Sequence, residues 1–201
     1  MPIKTTDSLD VLAALNIMAS YVGIPPLTNL VNIADEPDFL LAQEILDELT
    51  STTLSQGLPC NTDYEFPLTE QNGEGYTIIP AGSLITDIIT DGYVERDGLV
   101  YNLDTRLFET SVSLKATVVW NMDYDNLPEL VKRYIAIAAS RVFVNRVKGD
   151  GAMDALTIPD ERRVKQEFQR YVYAVGDLTI LQGDVPYQIA RSGRNYFRGR
   201  Y

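Results

Sequence analysis

The residue types that most often carry out chemistry are scarce in this chain of 201 residues. It has no histidine and a single cysteine, Cys60, which excludes imidazole catalysis, imidazole metal ligation, an internal disulfide and a thiolate metal cluster. Without a histidine to activate its thiol, Cys60 is interpreted as a small packed side chain. Gly73 and Gly75 lack the Lys-Ser/Thr of a phosphate-binding loop and are interpreted as part of a turn. The sequence therefore predicts no cofactor.

One acidic stretch, Asp123-Tyr124-Asp125, begins like a calcium-binding loop. Such a loop needs a glycine at its sixth position, where this chain has Pro128. We therefore interpret the acids as the start of a helix, with Asn126 as its N-cap and Glu129 three residues further on. A pair of carboxylates that cleaves a glycosidic bond leaves no spacing in a sequence to test. A carbohydrate-cleaving hydrolase that uses carboxylates of the middle third of the chain therefore stays an alternative.

The charges are distributed unevenly along the chain, whose net charge is −11. Residues 1–95 hold 15 acidic residues and a single basic one, Lys4, whereas residues 96–184 are close to neutral. Residues 185–201 hold four arginines, no acid and four aromatic residues, a composition favoured in protein–protein anchors and in single-stranded nucleic-acid contacts. An acidic body with a basic tail predicts an interaction that is directed by charge.

The spacing of apolar residues predicts four amphipathic helices, which would position the functional surfaces of the protein. The first is predicted over residues 9–22 with Ser8 as a cap, and the second from Asp35-Glu36-Pro37 to Gly57. The third runs from Asn126 to position 148, and the fourth begins at Pro159 and extends toward position 183. The fourth helix is predicted to have an inward apolar face, formed by Val164, Phe168, Tyr171, Val175 and Leu178, and an outward basic face, formed by Arg162, Arg163, Lys165 and Arg170. No stretch approaches the ~18 apolar residues of a membrane span, so no membrane insertion is expected.

The third helix is apolar on two opposite sides. Such a helix is buried, either at the centre of its own bundle or between subunits. The candidates for a subunit interface are Tyr134, Ile137, Arg141, Phe143, Val144 and Val147.

The middle third, residues 58–120, is predicted to be a β insertion. Asp97-Gly98 lies between Tyr93–Arg96 and Leu99–Asn102, which is the pattern of a type I′ hairpin. Residues 111–120 alternate between apolar and polar side chains, as in a half-buried antiparallel strand. The predicted fold class is α+β, with an antiparallel bundle of four main helices, an antiparallel β insertion and an extended C-terminal tail. We expect the parts to be residues 1–57, 58–120, 121–184 and 185–201.

Three stretches of the chain, taken together, resemble one known family. They are residues 14–30 (ALNIMASYVGIPPLTNL), residues 42–57 closing in Ser-Gln-Gly, and residues 123–146 (DYDNLPELVKRYIAIAASRVFVNR). Their order, spacing and length resemble those of tail tubular protein A, the head–tail adaptor of short-tailed podovirus phages. After the helix-ending glycine that family usually has Trp and then Phe-Asn, whereas this chain has Leu58-Pro59-Cys60-Asn61.

The resemblance implies a structural virion protein of the phage tail rather than an enzyme. It implies a homo-oligomeric ring of twelve subunits below the portal protein, with the tail nozzle (tubular protein B) beneath, tail fibres docked at the side, and DNA passing through the lumen without specific binding. We then expect the tail residues to dock on the portal: Arg191, Arg194, Tyr196, Phe197, Arg198, Arg200 and Tyr201. A third alternative is a small acidic binding module of a cell.

Overall fold

The computed structural model describes the backbone of residues 9–31, 33–108, 114–149 and 151–180, and the side chains of all of these except 151–156 and 176–180. The helices are α1 (Val11–Val22), α2 (Pro37–Leu54), α3 (Glu129–Lys148) and α4 (Gly151–Ile180). The strands are β1 (Thr62–Leu68), β2 (Ser83–Ile88), β3 (Tyr93–Arg96), β4 (Leu99–Asn102), β5 (Leu107–Phe108) and β6 (Leu114–Trp120). The predicted α+β class, with four main helices and antiparallel strands, is confirmed. The predicted tail, residues 185–201, lies outside the described residues.

Helix α3 is the centre of the helical bundle. Helices α1 and α2 pack on α3 and on each other, and α4 packs on α3 as well. Because α3 has neighbours on several sides, its apolar residues extend nearly all round, which explains the two apolar surfaces seen in the sequence. The fully buried side chains of the bundle include Leu15 and Met18 of α1, Ile45 and Leu46 of α2, and Val131, Ile135, Phe143 and Val144 of α3. Each such side chain contributes about 1.5–3 kcal/mol of transfer free energy on burial.

Helix α1 begins later than predicted and has a different cap. Its N-cap is Asp10, whose carboxylate accepts a hydrogen bond from the backbone N–H of Ala13 at 2.8 Å. The predicted cap, Ser8, lies outside the described residues. The predicted stop is confirmed, because Gly23 ends the helix in the left-handed conformation with φ of 78°.

Helix α4 begins at Gly151, and the predicted start at Pro159 is wrong. A proline removes one helical hydrogen bond, which is why it commonly marks a first turn. Here Pro159 lies on the exposed side of a helix that continues through it. The predicted faces of this helix are confirmed where its side chains are described: Val164 and Phe168 are buried, Tyr171 and Val175 are half-buried, and Arg162, Arg163, Lys165 and Arg170 are exposed. The side chain of Leu178 lies outside the described residues.

The strands form two three-stranded antiparallel sheets, ordered β1-β6-β2 and β3-β4-β5. The predicted hairpin is confirmed, because β3 pairs with β4 and both turn residues, Asp97 and Gly98, have positive φ. Central strand β6 buries Leu114, Ala116 and Val118 on its predicted inner face. Val119 points to the opposite face and is also buried, so the prediction of a half-buried strand is wrong at this end of β6.

Among the described residues, no helix combines the length and the apolar character needed to cross a bilayer.

Candidate functional site

The acidic stretch at residues 123–125 precedes α3 but does not cap it. Residues Tyr124–Asn126 form a short 3-10 helix, and α3 begins only at Glu129 with Pro128 at its N-cap position and no side-chain cap bond. The prediction that Asn126 caps this helix is therefore wrong. The extended backbone of Leu127 and Pro128 separates the two helices and moves the start of α3 along the chain.

The carboxylates of this stretch instead stabilise the start of α1. Asp125 accepts a hydrogen bond from the backbone N–H of Val11 at 3.0 Å, and Glu129 accepts one from Leu9 at 3.2 Å. Glu129 also forms an ion pair with Lys132, whose side chain is largely buried. Asp125 satisfies an amide donor that the N-terminus of α1 leaves free, Glu129 holds the backbone just before the N-cap, and the negative charge of both suits the positive end of α1. The acidic stretch therefore has a structural role in joining α1 to α3.

Tyr124 is buried in this same joint. Its hydroxyl donates a hydrogen bond to the backbone carbonyl of Lys132 at 3.0 Å. Burial raises the pKa of the Tyr124 phenol far above its ordinary value, and the nearby carboxylates of Glu129, Asp125 and Asp10 raise this pKa further. The phenol therefore stays protonated, as a hydrogen-bond donor must. Among the described residues, no group of three or more acidic or cysteine side chains is arranged to hold a metal ion.

A second joint, between the helical bundle and the first sheet, depends on Asn61. This side chain is 2% exposed. Its amide nitrogen donates to the carbonyls of Leu54 at 3.1 Å and Trp120 at 2.7 Å, while its oxygen accepts from the backbone N–H of Leu58 at 2.9 Å. Asn61 therefore links the end of α2 to the end of β6. The sequence analysis did not identify Asn61 as a linking residue. The one feature that could have indicated this role is its position just after the helix-ending Gly57 and Pro59.

The structure divides the six predicted interface residues into two groups. Phe143 and Val144 are 1% and 0% exposed within a single chain, so they belong to its own core and leave no surface for a second copy. The other four, Tyr134, Ile137, Arg141 and Val147, are half-buried and keep exposed surface.

Two of these four residues hold α4 against α3. The Tyr134 ring stacks on the Phe168 ring of α4, with centroids 4.5 Å apart and planes 9° apart. Burial raises the pKa of the Tyr134 phenol, and the Glu161 carboxylate raises it further. Arg141 forms an ion pair with Glu161 of α4 at 2.8 Å. Part of the apolar and charged surface of α3 thus binds α4 of the same chain.

The outward faces of α2 and α4 carry opposite charge. Helix α2 exposes Glu44, Asp47 and Glu48, and α4 exposes Arg162, Arg163, Lys165 and Arg170. Glu48 is paired with Arg146 of α3 at 2.9 Å and Arg163 with Asp160 at 3.3 Å. Across the described part of the chain, the remaining members of both sets have no ion-pair partner. Such faces can direct docking by charge complementarity.

In the described residues, the polar groups at residues 61 and 123–129 hold helix ends and joints together. A family model described as tail tubular protein matches residues 12–177, which include all six strands and nearly all of the four helices. The chain belongs to the tail tubular protein family. It is therefore a structural protein of the phage tail, located in the virion, and not an enzyme. No curated protein matches the chain.

The family settles the alternatives that the sequence left open. A carbohydrate-cleaving hydrolase and a cellular binding module are both set aside, because the family is a structural component of the virion. The seven predicted portal-binding residues, from Arg191 to Tyr201, lie outside the matched range and outside the described residues.

Proposed function

We propose that the protein is the head–tail adaptor of its phage, forming a ring of twelve subunits between the portal and the tail nozzle. The observation that carries this proposal is the match to the tail tubular protein family over residues 12–177. The adaptor role is supported by the three stretches of sequence that resemble tail tubular protein A. DNA passes through the lumen of this ring during ejection. The net charge of −11 opposes tight binding of the duplex, because binding DNA requires cationic surface.

The surfaces of the described residues support assembly into a closed ring. A ring needs two different, complementary patches on each copy, since head-to-tail contacts repeat one pairing around an axis. The acidic face of α2 and the basic face of α4 provide two such patches. Tyr134, Ile137, Arg141 and Val147 stay proposed interface residues, at the edge between α3 and α4.

Negative-stain electron microscopy of the purified chain, alone and mixed with portal rings, tests this proposal. We expect twelvefold rings that stack coaxially on the portal. A chain that stays monomeric under both conditions contradicts the adaptor function. A further mixture with nozzle protein and tail fibres tests whether these bind the ring at its far end and side.

We also propose that residues 185–201 bind the portal, with Tyr196, Phe197 and Tyr201 entering pockets while Arg191, Arg194, Arg198 and Arg200 pair with carboxylates. What supports this is the composition of the segment, which holds four arginines and no acid beside a strongly acidic body.

Deletion of residues 185–201 is expected to leave a folded subunit that no longer binds portal rings, because the anchoring aromatics and arginines are lost together. Co-sedimentation with portal rings measures the binding, and circular dichroism checks that the helices are retained. The matched control replaces the four arginines with lysine, which keeps the charge but removes the bidentate geometry; we expect it to bind about tenfold more weakly than the full chain. Undiminished binding by the truncated chain would overturn the tail's role.

A further inference from the structure

The exposed side of α2 carries an acidic stripe, formed by Leu40, Glu44, Asp47 and Glu48, in which two carboxylates have no ion-pair partner among the described residues. Leu40, Glu44, Asp47 and Glu48 follow one another at spacings of four, three and one residues, which places them on one side of the helix. All four side chains are exposed. Glu48 pairs with Arg146, whereas Glu44 and Asp47 pair with no cation in the described part of the chain. Partial desolvation by neighbouring atoms raises the pKa of the Asp47 carboxyl.

The outward stripe of α4 has the composition of a protein-binding face. Arg162, Arg170 and Tyr173 lie on the side of the helix opposite its buried residues. Tyr173 is 68% exposed, which is a large exposed fraction for an aromatic side chain. Neither arginine has an ion-pair partner among the described residues. Tyrosine and arginine are the residue types that carry most of the binding free energy in protein–protein interfaces.

Within the described part of the chain, no ion pair joins the two stripes. Helices α2 and α4 both pack on α3, and the buried sides of both helices point inward to the shared core. Their charged sides therefore face away from that core. The charged parts of the two stripes are similar in length, since the eight steps from Leu40 to Glu48, or from Arg162 to Arg170, extend about 12 Å along a helix.

We propose that neighbouring subunits join head-to-tail by docking the acidic stripe of α2 on the Arg/Tyr stripe of α4 in the next copy. Arg162 and Arg170 supply the cations that Glu44 and Asp47 lack, and Tyr173 packs on apolar surface such as Leu40. Because the acidic stripe of one copy is used by one neighbour and the basic stripe by the other, the contact propagates around a ring. This inference rests on the proposed ring and names the surfaces that close it.

Charge reversal separates this contact from the ring itself. The first variant carries Glu44→Arg and Asp47→Arg, so both of its stripes are basic. The second carries Arg162→Glu and Arg170→Glu, so both of its stripes are acidic. Each variant alone is expected to stay monomeric at concentrations where the unmodified chain forms rings, with the ring-forming concentration raised by about a hundredfold or more.

The mixture is the decisive sample. Mixed in equal amounts, the two variants should form rings in which they alternate, because each basic α2 stripe then meets an acidic α4 stripe. Native mass spectrometry counts the copies of each variant, and circular dichroism shows that each variant is folded before mixing. The control reverses two exposed acids in the β region, Glu70→Arg and Glu74→Arg, and is expected to assemble like the unmodified chain.

Each other outcome overturns the inference in a recognisable way. Normal rings from either variant alone would show that these stripes are not the contact, while the ring proposal stands. Folded variants that stay monomeric even when mixed would show that the stripes are not complementary partners. If the α4 variant forms rings but fails to bind the portal or nozzle, then this stripe has a different occupant. An unmodified chain that is monomeric, with and without portal, refutes the ring and this contact together.

Discussion

Asn61 links the helical bundle to the first sheet through three hydrogen bonds made by one buried side chain. Its partners are backbone groups of Leu54 and Leu58, at the end of α2 and just after it, and of Trp120 at the end of β6. The backbone N–H of Trp120 also donates a hydrogen bond to the backbone carbonyl of Asn61 at 2.8 Å. Buried polar groups of this kind lower the free energy of unfolding little when they are fully hydrogen-bonded, and lower it strongly when one partner is removed. Loss of this side chain is therefore expected to weaken the joint.

Asn61→Ala is expected to lower the free energy of unfolding by about 2–4 kcal/mol, because it leaves three buried backbone groups without their partner. Urea denaturation followed by circular dichroism measures the change. Asn121→Ala is the matched control, because Asn121 is exposed and has no described side-chain hydrogen bond; we expect a change below about 0.5 kcal/mol. Equal losses for the two variants would contradict the structural role of Asn61.

At the scale of elements, apolar periodicity predicted that all four helices exist but misplaced the starts of α1, α3 and α4. Periodicity is a property of the chain itself, since the same face must be apolar whatever covers it. A helix start depends on which backbone donors find acceptors, and those acceptors are distant in sequence here. Asp125 and Glu129 bond to the amides of Val11 and Leu9 rather than to the N-terminus of their own helix. No local pattern of residues contains that information.

The two candidate N-caps give a direct test of this difference. Asp10→Ala is expected to lower the free energy of unfolding by about 1 kcal/mol, because it removes the acceptor for the Ala13 amide. Asn126→Ala is expected to cost less than about 0.5 kcal/mol, because Asn126 caps no helix in the structure. Denaturation midpoints of both variants, measured side by side, decide the matter. A loss at Asn126 as large as that at Asp10 would favour the sequence-based assignment.

At the scale of the whole molecule, the missing histidine and four tyrosines, one buried and three half-buried, determine how stability depends on pH from neutral to alkaline conditions. Burial raises the pKa of Tyr21, Tyr124, Tyr134 and Tyr171, and nearby Asp160 adds to the shift at Tyr21. A pKa that is higher in the folded state gives stability that is fully present below the unfolded value, near 10 for tyrosine, and is lost as the pH rises toward the folded value. With no histidine to titrate, little change is expected around neutral pH.

We therefore expect the free energy of unfolding to vary little between about pH 6 and 8 and to fall steeply above about pH 10. Tyr124→Phe should make the alkaline fall shallower, because it removes the most strongly shifted phenol, and should cost about 1 kcal/mol at neutral pH through the lost bond to Lys132. Urea titrations at pH 7, 8, 10 and 11 measure both effects. Tyr64→Phe, which changes an exposed tyrosine, is the control. If the free energy of unfolding of Tyr124→Phe falls above pH 10 as steeply as that of the unmodified chain, the role of the Tyr124 phenol in alkaline unfolding is contradicted.

Sequence alone determined the α+β class, the hairpin at Asp97-Gly98 and the faces of the helices, because these depend on local backbone preferences and on the period of apolar residues. It also determined the likeness to tail tubular proteins, which the family match over residues 12–177 confirms. Only the tertiary structure decided which apolar residues belong to the core of one chain. Phe143 and Val144 have the composition of an interface and lie inside the bundle, since burial depends on what packs against a face and not on the face itself.

The uneven charge of the chain likewise acquired its meaning from the fold. The sequence shows that acids occur in both halves of the chain, whereas every base except Lys4 lies in the second half. Folding places α2 and α4 on a common helix, α3, with their charged sides directed outward. Complementary charges on different sides of one copy are available to a second molecule, and this arrangement depends on the packing of helices that are distant in the chain.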